Sequence, residues 1–386
     1  MSEVQLLFLV LALLYGWECA VWLRRGTVAF GTWLGRAWRL QHPGTLAGNQ
    51  RGGFILAAPL PPLGSLLTTN QFPLSLSPEG ALVWVSTNIN PGWRPAQSGR
   101  FLRFEDMRET RAHGRKVLVN GEMLLSSSSL GLARWLAENL QRIAKLKPSQ
   151  RETAIAELLH ASLDCRNVEK RWQEFQEHAR PLGLLSNALF FYIFGFAPAL
   201  IWQLGLGLSW LGLLAGLLAL TTATATFFSR AHRALFPRAE DERFTQTITV
   251  LLAPTTAMRA GDVLSRPLLE TFHPLAVAQV LLPAEAFREF ARRVVLDLEH
   301  PARPVCPDES PNVKATELHG RRALQSAVEN CLKQGGIEPE TLVRAPVPAD
   351  ESCRAYCPRC SAQFTTADGE CSDCGGLALL PFAKPG

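Results

Sequence analysis

The chain has 386 residues and a formal net charge of +5, a length that calls for two or three domains. Its average hydropathy is unremarkable, but the apolar residues are strongly segregated along the chain, which excludes a single evenly soluble globule. Nine cysteines are present, and the scatter of Cys19, Cys165, Cys306 and Cys331 gives no disulfide framework.

At the N-terminus an apolar stretch from about Val4 to Leu23 is followed at once by Arg24 and Arg25. Only Glu3 precedes it, so it lacks the basic leader of a cleavable signal and reads as an uncleaved transmembrane anchor over residues 1–25. Glu18 lies within this stretch and can be neutralised by Arg25 on the same helix face. Between Cys19 and Pro78 the charged residues are Arg24, Arg25, Arg36, Arg39 and Arg51, with no acidic residue. Basic flanks place this side of the membrane in the cytoplasm. Residues 26–49 open with Thr27 to Leu40, where Phe30, Trp33, Leu34 and Trp38 alternate with Arg36 and Arg39. Such a segment is expected to lie as an amphipathic element in the lipid headgroup region.

Residues 50–147 read as strands closed by a helix. Gly53 to Ala58, Phe72 to Ser77, Ala81 to Ser86, Arg100 to Phe104, Lys116 to Val119 and Glu122 to Leu125 have strand composition, with turns at Pro78-Glu79-Gly80 and Asn120-Gly121. Ser126 to Ser129 offers caps to a helix whose Leu132, Leu136, Leu140 and Ile143 share one face. This order resembles that of PH-like domains, which in bacteria are often tethered to membrane spans. The resemblance rests on element order, and a generic α+β domain fits the same pattern. Ser149-Gln150-Arg151-Glu152 reads as a capping box opening a charged helix over 148–181.

From Pro181 to Ser229 there is no Asp, Glu, Lys or Arg. The run is long enough for two spans of about 20 residues, at Leu184 to Gln203 and Ser209 to Phe228, turning at Gly205-Leu206-Gly207 and kinked at Pro198. Lys170, Arg171 and Arg180 before it and Arg230, Arg233 and Arg238 after it again put both ends in the cytoplasm. Gly212 and Gly216 allow close helix approach, either to the hairpin partner or to a second copy of the chain. Residues 230–300 then read as a cytoplasmic segment of short helices broken at Pro254, Pro267, Pro274 and Pro283, whose apolar content, including Val250-Leu251-Leu252 and Val277 to Leu282, implies burial against the membrane face or the first domain. His273 and His300 have no second ligand at metal-binding spacing and read as structural or solvated. Residues 301–352 read as linkers around a short exposed helix, Thr316 to Lys333.

The strongest chemical signal comes last. Cys357-Pro358-Arg359-Cys360 and Cys371-Ser372-Asp373-Cys374 form two C-x2-C turns whose four thiolates match the tetrahedral preference of zinc. Residues 353–386 resemble the C-terminal zinc ribbons of many bacterial proteins, with Ser361 where such ribbons usually have Gly after the first knuckle. Metal would replace a core in so small a module. Cys353 reads as a bystander. A redox dithiol pair is the competing use of the same cysteines.

The whole is an α+β multi-domain membrane chain with three spans, its N-terminus outside and its bulk in the cytoplasm of a bacterial inner membrane. A tetrathiolate shell is closed to water and substrate, so it points to structure and not to catalysis. The expected function is a scaffold whose cytoplasmic domain and ribbon dock protein partners. From Cys353 to Gly386, Arg354, Arg359 and Lys384 balance Asp368, Glu370 and Asp373, a charge of zero that speaks against nucleic acid. An enzyme with dispersed active-site residues is the alternative, since spacing alone cannot reveal one.

Overall fold

The computed structural model describes residues 5–10, 12–13, 27–33, 36–40, 64–70, 74–86, 97–127, 130–300 and 310–382, less positions 206, 208, 238 and 375. The chain forms two compact units, one of Met1–Gln71, Ser127–Trp135 and Cys165–Leu281, the other of Phe72–Ser126, Leu136–Asp164 and Leu282–Gly386. Of the strand region 50–147, expected to be one domain, residues 72–126 and 136–147 fall in the second unit and residues 50–71 and 127–135 in the first.

In the first unit, β1 (Thr27–Trp33) pairs antiparallel with β2 (Arg36–Leu40) and β3 (Gly64–Asn70) in the order β2-β1-β3. The backbone of the expected headgroup segment is therefore β. Two helices in this unit are long and apolar enough to cross a membrane, Cys165–Leu204 and Trp210–Leu235. Of the expected N-terminal anchor, residues 5–10 and 12–13 are helical and Phe8 meets Phe194 edge-on at 6.0 Å; the rest, with Glu18, lies outside the described residues, as does the candidate strand Gly53 to Ala58.

The first long helix does not start where the charged helix was expected. A break at Leu163 and Asp164 separates Pro148–Ser162 from Cys165–Phe191. Helix Pro148–Ser162 begins after Lys147, with Pro148 at its first turn and no side-chain cap, so the expected capping box does not form. Arg151 instead bonds the carbonyls of Leu146 and Pro78, each at 3.0 Å, and stacks over Phe104 at 5.3 Å. Farther along, the arm passes through a π turn at Tyr192–Phe196 and resumes as Ala197–Leu204. The wide turn sits just ahead of Pro198, whose missing N–H would interrupt an α ladder. Gly205 ends the arm at a φ of 69°, a conformation that favours glycine.

The second arm, Ser209–Leu235, packs on the first. A Cβ at Gly216 would meet the Tyr192 hydroxyl at 2.5 Å, whereas one at Gly212 would meet nothing within 4 Å. Tyr192 also donates to the Leu213 carbonyl at 2.6 Å. Gly216 therefore serves the hairpin itself, and a second copy would find only Gly212 open. Leu182, Leu189 and Phe228 are fully buried. The two arms pack against the helices Glu240–Leu252, Pro254–Ala257, Ala260–Leu269 and Pro274–Leu281.

In the second unit β4 (Leu74–Leu76), β5 (Gly80–Ser86) and β6 (Gln97–Arg103) form one antiparallel meander. A second consists of β7 (Thr110–His113), β8 (Lys116–Val119) and β9 (Glu122–Ser126). Strand β7 is too polar to have been read from its pattern. The Asn120-Gly121 turn forms as expected, with φ of 52° and 85°, the signs a tight hairpin requires. Helix Leu130–Lys145 begins in the first unit and continues in the second at Leu136, and its Leu132, Leu136, Leu140 and Ile143 are all buried, as their spacing predicted.

The expected short exposed helix is longer and partly buried. Pro311–Gln334 buries Val313, Ala327, Val328 and Leu332 and lies on β4 at Gly320, where a Cβ would come within 3.0 Å of Ser75. The Ser77 and Thr316 hydroxyls share a buried hydrogen bond of 3.1 Å. These residues are domain and not linker.

Candidate metal centre

Five two-residue strands build the C-terminal module. β10 (Ala355–Tyr356) lies between β11 (Gln363–Phe364) and β14 (Leu380–Pro381), while β12 (Glu370–Cys371) pairs with β13 (Leu377–Ala378). Each C-x2-C turn is closed by its own backbone. The Ser361 N–H donates to the Cys357 carbonyl at 2.9 Å, and the Gly376 N–H donates to the Cys371 carbonyl at 3.0 Å. Gly376 needs its φ of 85°, and Gly369, at 143°, turns the chain into β12. The expected single return strand from Leu377 to Leu380 is split between two partners: Leu377–Ala378 pairs with β12, a pairing the Leu379 N–H extends to the Gly369 carbonyl at 2.9 Å, whereas Leu380 pairs with Tyr356 of β10.

These turns bring Cys357, Cys360, Cys371 and Cys374 together, with all four sulfurs within 4.8 Å of one another. Cys360 and Cys371 approach to 3.7 Å; a tetrahedral metal with bonds of about 2.3 Å to sulfur would hold its ligands about 3.8 Å apart. The set can therefore hold a metal ion. It is the sole such group among the described residues, and Cys353 is outside it, beside the Asp350 carboxylate. Beneath the sulfurs lies a core of only Ala355, Cys357, Cys371 and Leu379, flanked by Phe364, Cys374 and Leu377.

Cys357, Cys360 and Cys374 are shifted in different directions. Burial tends to raise Cys357, yet the N–H groups of Cys360 and Arg359 outweigh it and hold this thiol below its ordinary value. Burial raises Cys360; it also raises Cys374, helped by the thiols of Cys357 and Cys360. The charge of a bound cation would offset the penalty that burial places on the thiolates of Cys360 and Cys374.

The module is not carried on a free tether. Asp297 of helix Ala284–Glu299 pairs with Arg359 in the first knuckle, and Arg292 of the same helix donates to the Ser361 hydroxyl. Ser361 has a φ of 61°, so the position does require the left-handed backbone for which ribbons use Gly. Here Ser keeps that conformation at some strain and adds a hydroxyl that anchors the knuckle. The segment before it, expected to be a linker, forms a helical turn at Pro339–Leu342. It is clipped to β11 by Gln363, which donates to the Val347 carbonyl at 2.8 Å and accepts from the Ala349 N–H at 2.7 Å. The hydroxyl of Ser361 was the one sequence signal of this docking.

In the first unit, sequence reading passed over a buried polar group around helix Ala260–Leu269. Arg259 pairs with Asp262 at 3.3 Å, both almost fully buried. His273 is structural, as expected: its Nδ1 accepts from the Leu275 N–H at 3.1 Å. Burial lowers its pKa from 6.5 to about 4. At the end of helix Ala284–Glu299 the His300 backbone N–H caps the Leu296 carbonyl at 2.8 Å.

No family, curated protein or solved structure matches this chain. The PH-like resemblance has no support beyond the order of strands and helix.

Proposed function

We propose that the protein is an integral membrane scaffold that binds one structural zinc ion and docks protein partners through its second unit. The observation that carries this reading is the closed four-sulfur cluster, in a chain that also has two helices long and apolar enough to cross a membrane. Four thiolates at tetrahedral separation suit zinc, leave no position for water and would fix the ribbon's surface. Zero net charge over the ribbon favours a protein partner over nucleic acid. The basic flanks of the hairpin and the Arg-rich stretch after the N-terminal anchor favour three spans, an outside N-terminus, and both bulky parts in the cytoplasm of a bacterial inner membrane. That compartment keeps thiols reduced for metal.

The test is cross-linking in membranes with and without residues 353–386. Removal of the ribbon should delete a specific subset of cross-linked proteins while the rest of the chain stays membrane-inserted. An unchanged partner set, or catalytic turnover by the shortened protein, would replace the scaffold with an enzyme. Topology has its own test, in which an external thiol reagent should modify a cysteine introduced at Gly205 but not at Gly80 or Asp350.

A further inference from the structure

Helix Glu240–Leu252 was expected to be cytoplasmic, yet its surface is not that of a water-facing helix. Phe244 is 69% exposed, Ile248 38% and Leu252 75%, a single apolar row at four-residue spacing. From Phe244 to Met258 the sequence has no Asp, Glu, Lys or Arg. The neighbouring hairpin arm likewise exposes Phe227, Leu218 and Leu214.

The threonine hydroxyls of this helix are satisfied internally, as a non-aqueous environment demands, while Gln246 donates from its Nε2 to the Glu242 carboxylate at 2.9 Å and its buried Oε1 has no partner among the described residues. Thr245, Thr247 and Thr249 each donate to the carbonyl four residues earlier, at 3.1, 2.6 and 2.9 Å. Thr221, Thr224 and Thr226 of the hairpin arm do the same at 3.0, 2.8 and 2.8 Å. At the break before Pro254 the Ala253 N–H still reaches the Thr249 carbonyl at 2.9 Å, and the Ala257 N–H reaches that of Ala253 at 2.9 Å. Arg259, which ends the uncharged run, is buried in its pair with Asp262.

Depth follows from one contact. The Ser186 hydroxyl donates to the Ala257 carbonyl at 3.3 Å. Ser186 is about 9 Å along the first arm from Tyr192, at 1.5 Å per residue. Since Tyr192 aligns with Leu213 on the second arm, the Ala257 carbonyl lies about 15 Å from the Ser209 end of the hairpin. A hydrocarbon core is about 30 Å thick. The 13 residues of helix Glu240–Leu252 climb about 20 Å from its charged start, enough to reach that level.

We infer that residues 244–257 form a re-entrant leg of the membrane domain, entering beside the second arm and turning back near mid-depth, with Phe244, Ile248 and Leu252 against lipid acyl chains. This rests on the proposed membrane insertion of the hairpin. The test uses the full-length protein in vesicles of phosphatidylcholine carrying a diazirine on the acyl chain, photolysed and peptide-mapped. Carbene adducts should appear in the hairpin peptides and equally in the Phe244–Leu252 peptide, with the cysteine ribbon at background. A labelled hairpin with an unlabelled Phe244–Leu252 peptide overturns the leg alone. Absence of adducts from both overturns membrane insertion and the leg with it.

Discussion

The ribbon and the hairpin unit reach stability by opposite routes. The ribbon has strands of two residues and a core of four buried side chains, too little apolar surface to overcome the conformational entropy of ordering it. Its fold depends on four sulfurs at one point. The hairpin unit spreads the same task over many large side chains, among them Leu182, Leu189, Phe228 and Leu264, all fully buried, so no single atom is decisive there. A few residues at fixed spacing can be read from sequence as a site; distributed packing can be read only as composition.

The largest break in this comparison should come from metal removal. Structural zinc in such modules is worth about 10 to 16 kcal/mol, so chelation should abolish amide protection over Ala355 to Pro381 while the hairpin helices keep theirs. Protection surviving in both would mean that the ribbon's own core suffices. The reciprocal experiment is Leu182→Ala, which should cost about 2 to 5 kcal/mol through the cavity it leaves and lower the unfolding temperature of the hairpin unit in detergent without releasing metal.

Acid should separate the two regions in another way. His273 is held neutral in the fold, with a pKa of about 4 against 6.5. Above pH 6.5 it is neutral in both folded and unfolded states and contributes no pH dependence. As pH falls from 6.5 towards 4 the unfolded state takes up a proton that the fold refuses, so the hairpin unit should lose roughly 3 kcal/mol across that window. Unfolding in detergent at a series of pH values reads this loss, and His273→Gln should lessen it. The smallest expected effect distinguishes the two glycines of the second arm. Gly216→Ala forces its Cβ onto Tyr192 and should cost about 1 to 3 kcal/mol, while Gly212→Ala, facing open space, should be neutral or slightly stabilising. Equal effects would refute the hairpin packing.

The sequence disclosed those features whose cause is local. The sulfur quartet follows from two turns of fixed length, the Asn120-Gly121 hairpin from the only residues that readily take its backbone angles, and the buried face of Leu130–Lys145 from helical periodicity. It misled where partners are distant. Pro311–Gln334 has a mixed surface, so nothing along it announces that Gly320 lies on Ser75. The tract after Gly335 is rich in proline and looked like a tether, because Gln363 and the Arg292 and Asp297 anchors lie far from it in sequence. The capping box at Ser149 failed for a nearer reason, since Pro148 begins that helix and Arg151 turns instead towards Pro78 and Phe104.

The most direct test of the metal centre is the metal carried by the full-length protein as extracted from membranes. Elemental analysis should find one zinc per chain in the wild type and in Cys353→Ser, and a large loss in Cys371→Ser, with the hairpin still membrane-inserted in all three. Undiminished zinc in Cys371→Ser, or zinc lost from Cys353→Ser, would contradict it.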